Sequence, residues 1–131
     1  MSLLRLLEME DRGAADQGEL NDTTSVELVP APAAGFTRFA RVWIANKSTA
    51  PAIVRVRVTV TDPGESEPVD YEFYSKLLTA DNPGTAAGGC FDIECPRLDS
   101  TIKSITAILD AAATANQPQW ASSWVDIPVA T

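Results

Sequence analysis

The stretch AIVRVRVTVT (52–61) decides the fold. Val54, Val56, Val58 and Val60 alternate with Arg55, Arg57, Thr59 and Thr61. Successive side chains of a strand point to opposite faces, so one face of this segment is apolar and the other is charged or hydroxylic. Such a strand lies in an antiparallel sheet with one face on a core and one in water. Its β-branched residues are stiff at χ1 and favour the pleated surface over a helix.

The same period of two continues in both directions. Upstream, KSTAP (47–51) is a turn and FTRFARVWIAN (36–46) a strand, while TTSVELV (23–29) is a shorter strand stopped by Pro30 and Pro32. Downstream, the polar turn DPGESEP (62–68) leads to the strand YEFYSKLLT (71–79). The loop ADNPGTAAGG (80–89), rich in turn formers, leads to CFDIEC (90–95). TIKSITAILD (101–110) has apolar residues that also fit a helix, but its β-branched content and its neighbours make it a strand. In SSWVDIPV (122–129), Val125, Ile127 and Val129 are read as inward, Trp124 and Asp126 as outward. Short strands with turn signals at this spacing predict an all-β fold: an antiparallel β-sandwich or jelly roll of seven to eight strands with an extended N-terminal arm.

Residues 1–22 differ from the rest. Leu3, Leu4, Leu6, Leu7 and Met9 form a brief apolar cluster at helical spacing, too short to be a stable helix alone in water. DRGAADQGELND (11–22) is polar and acidic and reads as a linker. The expected organisation is therefore an arm and linker over 1–22 and a sandwich domain over 23–131. The leucines either cover an open edge of their own domain or dock on a neighbouring subunit. They do not form a signal peptide, because Arg5 interrupts the run and Glu8, Glu10 and Asp11 end it. No apolar run is long enough to span a membrane, so a soluble chain made in a cytoplasm is expected.

The chain carries 18 acidic and 10 basic residues, a net charge of −8, which argues against a nucleic-acid partner. It has no histidine, which removes imidazole-based triads and His-containing metal sites. The 131 residues suffice for one core without a metal or disulfide staple. Cys90 and Cys95, if extended, are separated by roughly 16 Å, beyond the roughly 7 Å limit of a disulfide. They are expected as reduced thiols, one buried and one near a strand start. No nucleophile, base and orienter stand together, and the pair Asp92 and Glu94 reads as a solvated strand face, so neither catalysis nor a cofactor is expected. Oxygen ligands around Asp62, Glu65, Glu67 and Asp70 follow no calcium-loop spacing, and no metal site is assigned.

Charge is segregated along the chain. Residues 1–27 hold seven acids against Arg5 and Arg12, a net of −5. Residues 36–61 hold Arg38, Arg41, Lys47, Arg55 and Arg57 without an acid, and 62–81 hold six acids against Lys76. This pattern suggests a basic hairpin face between acidic surfaces, which serves either ordinary cross-strand pairing or self-association. Phe39, Arg41 and Trp43 share one face of their strand and Phe36, Val42 and Ile44 the other, so the strand is either buried between two layers or carries an interface, whose core favours Trp, Phe and Arg. Phe39, Arg41, Trp43, Arg55 and Arg57 are the candidate subunit-interface residues.

RVWIANKSTAPAIVRVRVTV (41–60), followed by the segment from Tyr71 to Trp120, resembles a group of small virion proteins of tailed bacteriophages. Ala45-Asn46-Lys47-Ser48 matches the group's Asn-containing turn, Leu98 and Ile102 its paired hydrophobic positions, and Ala111 to Asn116 its Ala- and Asn-containing tail. The resemblance covers about 36–129; RLDST (97–101) lacks the group's Gly-Asp turn, and DPGESEP is a local elaboration. It implies a β-sandwich in the virion without enzyme activity. The expected role is a capsid decoration (cement) protein that binds the major capsid protein, with Leu3, Leu4, Leu6 and Leu7 as docking arm, in a homo-oligomer such as a trimer. The alternatives are a neck, tail or head–tail joining component, and a glycan- or receptor-binding spike module using Trp120, Trp124, Tyr71 and Tyr74.

Overall fold

A computed structural model describes residues 13–20, 23–61, 67–82, 87–99, 102–111 and 116–129. Among these, eight strands run as β1 (Gly13–Glu19), β2 (Val26–Val29), β3 (Phe36–Ala45), β4 (Ala52–Val60), β5 (Val69–Leu78), β6 (Cys90–Glu94), β7 (Ile102–Leu109) and β8 (Gln119–Pro128). They form two four-stranded sheets, ordered β1-β8-β3-β6 and β2-β7-β4-β5, with every pairing antiparallel. The pairs β1·β8, β2·β7, β3·β6 and β4·β5 are nested, as in one long hairpin folded at the β4–β5 turn. Rolling that hairpin up adds the contacts β3·β8 and β4·β7. This is the winding of a jelly-roll sandwich.

The core lies between the sheets. Val54, Val56 and Val58 of β4 face Val42 and Ile44 of β3, with Leu28, Val29, Leu78, Phe91, Leu98, Ile105 and Leu109 closing the layer. The segment with ambiguous periodicity is the strand β7, and alternation places Ile105, Ala107 and Leu109 inward. Ser122 of β8 is buried between the layers and donates from Oγ to the Leu28 carbonyl at 2.6 Å, so its hydroxyl is satisfied.

Two expectations are corrected. Residues 13–19, read as linker, form β1 and pair along their whole length with β8. The strand lacks apolar alternation because it is an edge strand whose Ala14 and Asp16 stay exposed, and these two and half-buried Gly18 pair with Trp124, Ser122 and Trp120. β8 supplies the volume there, and a Cβ on Gly18 would stand 2.9 Å from the Trp120 indole. The faces of β8 are also the reverse of the reading: Trp120, Ser122, Trp124 and Asp126 point inward, whereas Ile127 and Val129 are exposed. Asp126 faces in because Arg38 does. Arg38 Nε and Nη2 donate to the two Asp126 oxygens at 2.7 and 2.8 Å, and Nη1 donates to the Pro30 carbonyl at 2.7 Å. The guanidinium lies 5.0 Å from the Trp124 ring centroid, a cation–π contact.

At the other end of the sandwich the Ala45–Ser48 turn carries the chain from one sheet to the other. Asn46 Oδ1 accepts from the Ser48 N–H and Ser48 Oγ accepts from the Ala50 N–H, two side-chain mimics of backbone turns. Asn46 is fully buried, and its Nδ2 donates to the carbonyls of Ala50, Leu78 and Thr79. The turn is thereby tied to the end of β5.

Candidate functional site

The outward face of the β1-β8-β3-β6 sheet carries the strongest chemical signal. Register places its residues in rows across the strands: Gln17, Ala121, Trp43 and Asp92; then Ala15, Ser123, Arg41 and Glu94; then Gly13, Val125 and Phe39; then Ile127 and Thr37. β1 and β8 contribute small side chains and β3 large ones. The result is a trough floored by Ala121 and Ser123 beside Phe39, Arg41 and Trp43. Three adjoining depressions of about 450, 330 and 350 Å³ follow it. Phe39 and Trp43 are 45% and 38% exposed, high for such large apolar groups on regular strands, and Ile127 extends the patch at 39%.

Arg41 is held upright on the far wall. Its Nη1 donates to Glu94 Oε1 at 2.9 Å and its Nη2 lies 3.3 Å from Asp92 Oδ1. The two carboxylates that the strand period places on one face therefore flank a guanidinium. Cys95, at the end of β6, packs against the core beside the trough, and burial pushes its thiol up to about 12 against the opposing influence of Arg41. Cys90 is exposed at the start of β6 and both cysteines are free, as their spacing predicts.

The structure separates the candidate interface residues. Phe39, Arg41 and Trp43 stand together, but Arg55 and Arg57 lie on the outward face of the opposite sheet, because the turn after β3 changes sheets. The expected basic hairpin face is not formed, since β3 and β4 are not paired. Arg55 is spent locally: Nε and Nη2 donate to Asp110 at 2.6 and 3.0 Å, and Nη1 donates to Glu72 at 3.1 Å. These bonds keep the Asp110 carboxyl below its ordinary range and the guanidinium more firmly protonated. Leu3, Leu4, Leu6 and Leu7 lie outside the described residues, as do Asp62 and Glu65. Asp70 accepts from Thr59 Oγ1 at 2.7 Å. The aromatic candidates of the spike reading go largely into the interior. Trp120 is buried, Trp124 lies against Arg38, and Tyr74 packs tilted against Phe91 with ring centroids 4.8 Å apart, leaving Tyr71 exposed. What the sequence reading lacked was Val125 and Ile127 as part of the face, which the parity of β8 hid.

No protein-family model and no curated protein matches the sequence. Among solved structures the chain is similar to the disulfide-linked pili of Bacillus endospore appendages (9% identity, TM-score 0.45, covering 90% of this chain and 86% of that one). It is similar to the Clostridium thermocellum endo-1,4-β-D-xylanase 10B CBM22-1–GH10 modules complexed with xylohexaose (9% identity, TM-score 0.51, 92% of this chain and 27% of that one). A third similar structure is that of infectious bursal disease virus, Gx strain (17% identity, TM-score 0.35, 88% of this chain and 29% of that one). The likeness to the xylanase modules is one of fold alone. Among the described residues no helix is long and apolar enough to cross a membrane.

Proposed function

We propose that the chain is a structural virion protein, a capsid decoration protein of a tailed bacteriophage that meets the major capsid protein through the outward face of the β1-β8-β3-β6 sheet. The observation that carries this reading is the exposed wall of Phe39, Arg41 and Trp43, extended by Ile127 and mounted on hydrogen-bonded strands. Aromatic and arginine side chains on a rigid scaffold are the groups that dominate protein–protein contacts, because they bury large area at little cost in conformational entropy. The carboxylates of Asp92 and Glu94 hold Arg41 in place, so the wall is organised before any partner arrives. The resemblance of 36–129 to small tailed-phage virion proteins supplies the capsid as the partner. The leucines of the amino-terminal arm supply a second apolar anchor. Many copies on one lattice gain from multivalency, so modest contacts per copy are enough, and lattice symmetry favours a trimer at local three-fold axes.

The test is to mix the protein with empty capsids that lack it and to count bound copies on a quantitative gel. Saturation at a lattice-wide number of copies, lost in Phe39→Ser/Trp43→Ala, is the expected result. Binding of only a handful per particle moves the protein to the neck or tail, and absence of binding refutes the capsid reading.

A further inference from the structure

We propose that in the free protein the outward face of the β1-β8-β3-β6 sheet pairs with the same face of a second copy, through a two-fold axis that runs along the strands above the line between β8 and β3. The face is stepped. β3 raises Phe39, Arg41 and Trp43, while β8 beside it offers Val125, Ser123 and Ala121 in the same rows. A half-turn about that axis reverses the strand order across the face and keeps every row at its own height. The ridge of each copy then lies over the trough of the other, the self-complementarity that an isologous contact requires. Trp43 of either copy meets Ala121 of the other, Arg41 meets Ser123, and Phe39 meets Val125. Sheets packed in this aligned way stand about 10 Å apart, a depth that interdigitating large and small side chains fill.

Charge permits the pairing. Arg41 leans towards β6, where Nη1 donates to Glu94 at 2.9 Å and Nη2 lies 3.3 Å from Asp92. The two guanidiniums are thereby drawn away from the axis, each onto its own carboxylates. β6 of one copy lies over β1 of the other, which sets Asp92 over the Gln17 amide and Glu94 over Ala15. Of the acids on β1, Asp16 pairs with inward-pointing Ser122 and so lies off this face. Glu19 shares a row with Gln119, Ala45 and Cys90, and meets Cys90, one row from Asp92. Among the described residues no two like charges are set directly opposite each other. Four strands at about 4.8 Å and the rows from Thr37 to Ala45 give a face of roughly 19 by 27 Å, about 500 Å² a side. That lies at the low end for specific contacts, so the pair is a weak one that forms as the protein is concentrated. The pairing concerns the free chain; a capsid that takes the same face competes with it.

Sedimentation velocity over a concentration series, with tryptophan emission recorded on the same samples, tests this. Wild type is expected to pass from monomer to dimer, with a blue shift as Trp43, 38% exposed in the single copy, is covered. Ser123→Arg, at an exposed position, fills the trough and sets a guanidinium against Arg41 of the other copy; it should weaken the dimer by about tenfold or more and remove the shift. Leu77→Ser alters an exposed leucine on the other sheet and should leave both unchanged. Near-UV circular dichroism confirms that each variant is folded, and Ala121→Arg serves if Ser123→Arg is not. A wild type that stays monomeric at every soluble concentration, one that forms trimers, or a dimer that survives Ser123→Arg or is lost in Leu77→Ser overturns the proposal. Capsid binding is counted at concentrations where wild type is monomeric, so either reading can fail while the other stands.

Discussion

Removing Asp126 tests the reversed parity of β8 directly. The Arg38 side chain is 10% exposed and that of Asp126 is 17% exposed, and they share two charge-assisted hydrogen bonds at 2.7 and 2.8 Å. Asp126→Ala leaves a largely buried guanidinium with the Pro30 and Ala31 carbonyls and the Trp124 ring but no countercharge. Breaking one side of such a pair costs about 3 kcal/mol, and about the same is expected for Arg38→Met, which strands the carboxylate. The double variant Arg38→Met/Asp126→Ala leaves no charge unpaired and is expected to cost roughly as much as one single substitution, a coupling of about 3 kcal/mol. Urea denaturation at neutral pH, followed by tryptophan fluorescence, reads all four corners of the cycle. The melting temperature of Asp126→Ala should fall by about 10 °C for a chain of this size. If Asp126→Ala lies within about 0.5 kcal/mol of wild type, or the two singles add, Asp126 is a surface residue and the inward reading is wrong.

Four further outcomes are expected. Asn46→Ala removes the donor to three carbonyls at the end of the sandwich and should cost about 3 kcal/mol, checked by thermal melts; a loss under about 1 kcal/mol would mean the turn holds without it. Gly88→Ala drives a Cβ into the Asn46 carbonyl oxygen and should prevent soluble folding, whereas Gly35→Ala, at φ +86° with open space around it, should cost about 1–2 kcal/mol in the same assay. With a thiol reagent at mildly alkaline pH, exposed Cys90 should react at once and Cys95 only on unfolding. Because folding raises the Cys95 thiol from its ordinary 9.0 to about 12, the unfolded chain loses that proton first. Stability is then fully present below pH 9 and is lost as pH rises towards 12, a decline that Cys95→Ala should lessen in urea titrations.

Legibility in the sequence followed the size of the apolar alternation. AIVRVRVTVT carries its face assignment in every second residue, and the structure buries Val54, Val56 and Val58 as read. β3 is readable in parity alone: its sequence sets Phe39, Arg41 and Trp43 on one face, and the structure turns that face outward. β1 was not readable, because a strand at a sheet edge can be built of Gly, Ala and Asp when its neighbour supplies Trp120 and Trp124. β8 was misread because apolar residues stand on both its faces: Trp120 and Trp124 inward, Val125 and Ile127 outward. The choice between them depends on Arg38, 88 residues away in sequence.

By itself the sequence determined the all-β class, most strand positions, the turn that follows β3, and the separation of the two thiols. Each of these rests on local rules: a period of two, turn chemistry, and the reach of a short extended segment. Only the tertiary structure decided the nesting of the strands, the parity of β8, the opposite placement of Arg41 and Arg55, and the trough beside Phe39. Those follow from which strands pair and which sheet each joins, and such pairings are set by contacts between distant segments competing for one core.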